Sequence, residues 1–198
     1  ASLRLILEGI GPSVLAFSGG VDSAFLLKVG YDVLGERILA VTGVSASLPS
    51  AEKDAAVLLA RQIGARHVLA ATAEIDNPDY VRNDERRCYH CKRELFEVLR
   101  RIAAEAGHGT ILYGAIPDDL GDDRPGMQAA ARAGVRAPLI EAGLSEGMIR
   151  ALSRRLGLPT WDKPAAACLA SRIPRFTPVT VAALARAERA EAAARGLG

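Results

Sequence analysis

The chain has 198 residues, of which 49% are hydrophobic, and it carries a formal net charge of +2. This length and composition allow one main domain with a substantial buried core. The small net charge argues against nucleic acid as a partner, and no segment reaches the roughly 20 consecutive apolar residues that span a bilayer. The first residues show neither a basic leader nor a signal cleavage site, so we expect a cytoplasmic protein without membrane partners.

Short apolar runs alternate with helical patterns in the first part of the chain. Buried parallel strands are predicted at 13–17, 38–44, 66–71 and 110–115. Helical spacing of apolar residues predicts helices at 21–34, 50–64 and 92–107. Ser50 is a candidate N-cap for the second of these helices. The alternation predicts an α/β fold with a doubly wound, mostly parallel sheet.

The last part of the chain is predominantly helical. Helices are predicted at 126–133, 145–157 and 180–195. Ser145 is the candidate N-cap of the second of these. A proline-rich loop occupies 159–178, so the last helix forms a helical C-terminal extension.

The stretch FSGGVDS joins the first predicted strand directly to the first predicted helix. Backbone N–H groups at such a helix start favour a phosphate, and Gly19 and Gly20 let the backbone approach an anion closely. Ser18 and Ser23 add hydroxyl donors. Asp22 would repel a phosphate unless a divalent cation bridges the two groups, so the motif implies Mg²⁺. It is neither a Walker loop nor a dinucleotide fingerprint.

Taken alone, this stretch also fits a strand-to-helix turn whose Asp22 merely caps the helix. The whole string, however, resembles the S-G-G-V/I-D-S signature of the PP-loop ATP pyrophosphatases, which have an adenine nucleotide alpha hydrolase-like fold. That resemblance implies cleavage of ATP to AMP and pyrophosphate, with the adenylyl group passing to a carboxylate or carbonyl oxygen. The ATP contacts that it implies are Ser18, Gly19, Gly20, Val21, Asp22, Ser23 and Gly114.

The sequence contains three cysteines. Cys88 and Cys91 form a C-x-x-C pair, and Cys168 lies in the proline-rich loop. In a reducing compartment this odd number favours metal or sulfur chemistry over a disulfide framework. Basic residues flank the pair and predict lowered thiol pKa values; they are Arg86, Arg87, Lys92 and Arg93.

Several kinds of site fit these cysteines. Closed zinc sites use four protein ligands, and His90, inside the pair, is badly placed to be the fourth. A redox dithiol with Cys168 as an inert apolar residue also fits. A cuboidal iron–sulfur cluster held by three thiolates matches the count of three.

Four strings together resemble the LarE-type sulfur transferases of the PP-loop class: LAFSGGVDSAFLLKV, RCYHCKRELF, DDLGDDRPGMQAA and LSRRLGLPTWDKPAAACLASRIP. The resemblance covers nearly all of the chain. It implies that ATP and Mg²⁺ adenylylate a carboxylate of pyridinium-3,5-biscarboxylic acid mononucleotide, and that sulfur then replaces AMP to give a thiocarboxylate. This step belongs to biosynthesis of the nickel-pincer nucleotide cofactor of lactate racemase. The resemblance also implies a homo-oligomer.

The resemblance implies one of two sulfur sources. In one branch of the family a single cysteine, here Cys168, gives up its own sulfur. In the other branch three cysteines hold a 4Fe-4S cluster, and Cys88, Cys91 and Cys168 match that pattern. We favour the cluster and keep sacrifice of Cys168 as the alternative. The expected substrate contacts are Ser171, Arg172 and, in the acidic loop after the fourth strand, Arg124.

The resemblance also bears on the organisation of the chain, because relatives continue beyond the last predicted helix into a smaller substrate-binding domain. Residues 1–178 are therefore predicted as the PP-loop domain and 179–198 as the start of a C-terminal region. Three other functions remain open: a PP-loop tRNA thiolase, the ATP-pyrophosphatase domain of an amidotransferase, and a nucleotide sensor without catalysis. The charge of +2 argues against the tRNA enzyme, and an amidotransferase would not need three cysteines.

Overall fold

The structure is a computed structural model that describes residues 2–120 and 125–196. Within these residues an all-parallel sheet forms the centre of the molecule, with strand order β3-β2-β1-β4. The strands are β1 (Ser13–Ala16), β2 (Ile38–Val44), β3 (Arg66–Ala71) and β4 (Thr110–Tyr113). The predicted doubly wound α/β fold is confirmed.

Helices flank this sheet. In chain order they are α1 (Leu3–Ile10), α2 (Val21–Leu34), α3 (Ser50–Ile63), α4 (Pro78–Val81), α5 (Arg87–Glu105), α6 (Pro125–Arg132), α7 (Pro138–Glu141), α8 (Glu146–Arg155) and α9 (Val181–Arg195). The predicted helix at 21–34 is confirmed at both ends. The helix predicted at 92–107 begins earlier, at Arg87, and so contains the whole C-x-x-C pair. No helix in the described ranges is long and apolar enough to span a membrane.

Two buried clusters, one on each face of the sheet, explain why the central strands are apolar throughout. Leu15 of β1 shares one cluster with Leu26 of α2, whereas Val14 shares the other with Phe96 and Leu99 of α5. All four residues of β1 are buried. Continuous apolar runs of this kind are typical of parallel strands covered on both faces.

Two local predictions were wrong and one is confirmed. Strand β3 is not buried, because it pairs with β2 alone among the described strands, and four of its six residues are exposed. Ser50 is not the N-cap of α3: that position is held by Pro49, and the Ser50 side chain makes no capping hydrogen bond. The N–H of Ser50 instead donates to Glu188 of α9 at 2.7 Å. Ser145 caps α8 as predicted, by accepting from the N–H of Met148.

The start of α2 lies against the carboxyl end of β4. A Cβ placed on Gly114, just after β4, would lie only 3.2 Å from the backbone nitrogen of Ser23, so the two segments meet closely because this residue is glycine. In open parallel sheets, ligands bind at this edge, outside the carboxyl ends of the strands.

Candidate functional site

A cavity of about 470 Å³ opens beside the carboxyl ends of β1, β2 and β4. Its walls include the loop that joins β1 to α2 and, on separate segments, Cys91 and Cys168. We call residues 18–23 the phosphate loop, and the three cysteines with the segments that hold them the thiol region. Both regions therefore reach one cavity.

Local hydrogen bonds fix the shape of the phosphate loop. The buried hydroxyl of Ser23 accepts from the Ser18 N–H at 3.3 Å and donates to the Gly20 carbonyl at 3.2 Å. Gly19 has a φ of +72°, which favours glycine, and a Cβ there would crowd α3 because it would lie 3.1 Å from the Cα of Ala56. No side chain caps α2, which leaves its first N–H groups available for an anion.

Asp22 lies in the first turn of α2. Its Oδ1 atom is buried without a hydrogen-bond partner in the described structure. Burial raises the pKa of Asp22 to about 6, the carboxylates of Asp119 and Glu146 add to the effect, and Arg150 opposes it. Within 2–120 and 125–196 no three His, Cys, Asp or Glu side chains are arranged to hold a metal ion by themselves. An orphaned carboxylate oxygen beside a phosphate loop fits Mg²⁺, which takes most of its ligands from phosphates and water.

Lys163 adds a cation to the phosphate loop, a role that the sequence patterns did not assign. Its Nζ donates to the Gly19 carbonyl at 3.2 Å and pairs with Glu52 of α3 at 2.7 Å. Arg150 of α8 holds this segment by donating to the carbonyls of Trp161 and Lys163 at 3.0 and 3.1 Å. The ammonium group is thereby placed where it can neutralise an incoming phosphate.

The three cysteines are distant in sequence but neighbours in space. Cys88 and Cys91 lie one turn apart in α5, and Cys168 directly precedes a short 3₁₀ turn at 169–172. Cys91 lies close to both of the others, since the charges of Cys88 and Cys168 each raise its pKa. Cys91 and Cys168 line the cavity, whereas Cys88 is exposed outside its described lining.

The lowered thiol pKa predicted from the flanking basic residues is wrong for Cys91. Burial raises the pKa of this thiol to about 12, the Glu74 carboxylate adds to the rise, and Lys92 opposes it only in part. Arg86 and Arg87 are engaged elsewhere: Arg86 stacks over the ring of Tyr89, and Arg87 binds the Cys168 loop. Sequence proximity therefore overstated their effect on the thiol.

A hydrogen-bond network ties the Cys168 loop to α5. The Arg87 guanidinium donates to the Asn83 side-chain oxygen at 2.6 Å and to the Ala170 carbonyl at 2.7 Å. The Asn83 amide donates in turn to the carbonyls of Pro174 and Thr177, both at 2.9 Å. Asn83 is fully buried and has a φ of +57°, which asparagine tolerates better than most residues. This network holds the loop of Cys168 against the helix of Cys88 and Cys91.

Comparison with known proteins shows the family to which the chain belongs. No protein-family model matches the chain. Over 197 residues the chain is 45% identical to an uncharacterised protein of Synechocystis sp., an alignment that spans the whole chain and 74% of that protein. Over 200 residues it is 36% identical to pyridinium-3,5-bisthiocarboxylic acid mononucleotide synthase of Lactiplantibacillus plantarum, spanning the whole chain and 72% of that enzyme. The chain belongs to the family of this synthase.

A third relative is less similar to the chain. The chain is 23% identical over 181 residues to an uncharacterised protein of Methanocaldococcus jannaschii, covering 90% of the chain and 67% of that protein. Membership of the synthase family confirms the LarE-type resemblance seen in the sequence.

The two described residues that were expected to contact the substrate, Ser171 and Arg172, do not line the cavity. Arg172 forms an ion pair with Glu191 of α9, and the Ser171 hydroxyl donates to the Cys168 carbonyl at 2.7 Å. Neither residue is part of the described cavity lining. Arg124, with the two aspartates before it, lies outside the described residues.

Two further residues of the site were not predicted. Glu74 lines the cavity and Asn83 anchors the Cys168 loop. A signal existed for Glu74, because it follows β3 at the edge of the sheet where ligands bind. No pattern in the sequence pointed to Asn83, because the carbonyls that accept from its amide lie some ninety positions further along the chain.

Proposed function

We propose that this member of the synthase family is an ATP-dependent sulfur transferase acting on pyridinium-3,5-biscarboxylic acid mononucleotide. The product is a thiocarboxylate that serves the nickel-pincer nucleotide cofactor. The observation that carries the proposal is the single cavity reached by both the phosphate loop and the thiols of Cys91 and Cys168. A carboxylate activated at one wall meets sulfur at another without release into water, which favours the second step through proximity. The 36% identity to the L. plantarum synthase supports the class of substrate.

The phosphate loop activates the carboxylate. A carboxylate oxygen of the substrate attacks the α-phosphorus of ATP, and the bond to the pyrophosphate leaving group breaks. The uncapped N–H groups of α2, the Ser18 hydroxyl and the Lys163 ammonium group bind the phosphates. Asp22 is the candidate ligand for Mg²⁺, which when bound neutralises phosphate charge.

We propose that Cys88, Cys91 and Cys168 are the ligands of a 4Fe-4S cluster. Their number and proximity fit a three-thiolate ligand set, although the thiols are not pre-arranged as a metal site within the described residues. The bound cluster supplies a labile sulfur for transfer. The chain contributes the loop anchor at Asn83 and Arg87, which keeps Cys168 beside α5.

The experiment incubates purified protein with ATP, Mg²⁺ and the mononucleotide under anaerobic conditions. The proposal predicts AMP, pyrophosphate and a product in which one oxygen is replaced by sulfur, all three measured by mass spectrometry and chromatography. Asp32→Asn, an exposed substitution further along α2, is the matched control and should leave the products unchanged. Formation of AMP only when tRNA replaces the mononucleotide would contradict the proposal in favour of a tRNA thiolase.

Iron and acid-labile sulfide analysis of the same protein identifies the sulfur source. The cluster predicts iron and sulfide that disappear when any one of the three cysteines is replaced by alanine. Protein without iron, in which Cys168 loses its sulfur after one turnover, would contradict the cluster and support the sacrificial route.

A further inference from the structure

Glu74 is a buried carboxylate in the wall of the cavity. It begins a 3₁₀ turn, Glu74–Asp76, that follows β3, and its relative exposure is only 3%. One oxygen, Oε1, accepts hydrogen bonds from the hydroxyls of Ser45 and Ser47, the latter at 2.9 Å. The other oxygen, Oε2, is buried with no hydrogen-bond partner among the described residues. Half of this carboxylate is therefore fixed by the protein and half is left for another partner.

No ion pair within the described residues includes Glu74. The basic residues in the described cavity wall are engaged elsewhere: Lys163 pairs with Glu52, Arg150 pairs with Glu146, and Lys92 lies over the ring of Tyr113, 5.1 Å from its centroid. A buried carboxylate without a cation is costly, and proteins normally pair such charges. The missing partner is thus expected to enter with a ligand.

Glu74 also lies beside the thiol region, where the proposed reaction ends. Its carboxylate acts on the pKa of Cys91. Its hydrogen-bond partner Ser47 accepts at the backbone carbonyl from the N–H of Leu169, the residue after Cys168, at 2.9 Å. A ring whose carboxyl substituent receives sulfur from this region must therefore lie close to Glu74.

We propose that Glu74 is the counter-ion of the cationic ring and selects an N-substituted pyridinium over an uncharged ring of the same shape. The inference rests on the proposed function, whose substrate carries a permanent positive charge on the ring nitrogen. Ser45 and Ser47 position the carboxylate through their hydrogen bonds to Oε1, and the ring balances the charge that the protein leaves unpaired at Oε2. Neutral nicotinate-like rings lack that charge and gain nothing from this contact.

Binding of two ring forms tests the inference by calorimetry without ATP. The probes are pyridinium-3,5-biscarboxylic acid mononucleotide and its 1,4-dihydro form, which has nearly the same shape and an uncharged ring. Glu74→Gln should weaken binding of the charged form about tenfold or more and that of the dihydro form less than about twofold. Glu74→Asp, which keeps the charge on a shorter side chain, should lose less than Glu74→Gln. Asp76→Asn, an exposed change in the same turn, should alter neither.

Equal weakening of both ring forms by Glu74→Gln would overturn the inference, because it would show a general effect on the cavity. A weakened affinity for ATP in place of the pyridinium would overturn it as well. If Glu74→Gln fails to fold, the wild-type protein decides: it must bind the charged ring about tenfold more tightly than the dihydro ring, and equal affinities contradict the inference. Failure of the proposed function looks different, since the wild type would then bind neither mononucleotide.

Discussion

The phosphate loop and the thiol region line the same cavity but are built in different ways. The phosphate loop consists of consecutive residues whose hydrogen bonds link Ser18, Gly20 and Ser23 within five positions of each other. The thiol region is assembled from two segments, 83–91 and 168–177, which are distant in the sequence and are joined by the hydrogen bonds of Asn83 and Arg87. A local site of the first kind is readable in a sequence, whereas a site of the second kind exists only once the chain has folded. A substitution in one region is therefore expected to impair the reaction step of that region and to spare the step of the other.

The largest effect confined to one region is expected from a substitution in the phosphate loop. Asp22→Asn should lower AMP formation at least about 100-fold, because it removes the carboxylate proposed to bind Mg²⁺ beside the phosphates. Binding of iron by the cysteines should be unchanged, since the thiol region does not depend on this residue. AMP production within threefold of the wild type would rule out the assigned role, provided that Asp32→Asn behaves as the wild type does.

Cys168→Ala should produce the opposite pattern. Thiocarboxylate formation should fall at least about 100-fold, because the proposed sulfur source needs Cys168, while a single-turnover burst of pyrophosphate persists within about threefold. Rapid-quench measurement of pyrophosphate and thiocarboxylate on the same samples separates the two steps. If the pyrophosphate burst disappears together with the thiocarboxylate, the two regions are not separable.

Asn83→Ala should destabilise the thiol region without affecting the affinity of the folded protein for ATP. The substitution removes the amide donor to the carbonyls of Pro174 and Thr177, leaves the Arg87 guanidinium without its Asn83 acceptor, and forces alanine to a positive φ. We expect a loss of about 2–3 kcal/mol in the free energy of unfolding, measured by denaturant titration. Gln62→Ala on the exposed side of α3 is the control. A loss equal to that of the control would show that the network does not anchor the loop.

Lys163→Ala should raise the KM for ATP about tenfold, because the proposed charge-assisted contact to phosphate is lost. Lys53→Ala is the matched control, since Lys53 pairs with the exposed carboxylate of Asp54 on α3. The KM for the mononucleotide should change less than that for ATP. A larger effect on the KM for the mononucleotide would show that Lys163 binds the mononucleotide and not the phosphates of ATP.

The smallest effect concerns stability and pH. The pKa of Asp22 rises from 3.8 to about 6 on folding, so the native protein loses stability as the pH rises from about 4 to 6. In EDTA and without nucleotide, Asp22→Asn should therefore be more stable than the wild type above pH 6. The expected gain is roughly 1 kcal/mol, or about 2–4 °C in Tm, after allowance for solvent screening. The difference should vanish near pH 4, and a gain that is the same at every pH would contradict the burial of this carboxylate.

Features that depend on neighbouring residues could be predicted from the sequence, whereas features that depend on distant segments could not. Strand β2 and helix α2 match their predicted ranges, because apolar runs and helical spacing are local signals. The exposure of β3 could not be predicted, since it depends on the order of strands in the sheet. The raised pKa of Cys91 could not be predicted either, because burial by distant segments outweighs the adjacent Lys92. The predicted division of the chain near residue 178 stays a prediction, although Leu184 of α9 packs in one cluster with Leu169.

Oxygen transfer from substrate to AMP tests the central claim most directly. The mononucleotide is labelled with oxygen-18 in its carboxylates and incubated with ATP, Mg²⁺ and the sulfur-loaded protein, and the AMP is analysed by mass spectrometry. If the phosphate loop adenylylates the carboxylate and sulfur then displaces AMP, each AMP formed must carry one labelled oxygen. Unlabelled AMP, or label in inorganic phosphate released alongside ADP, would contradict the account.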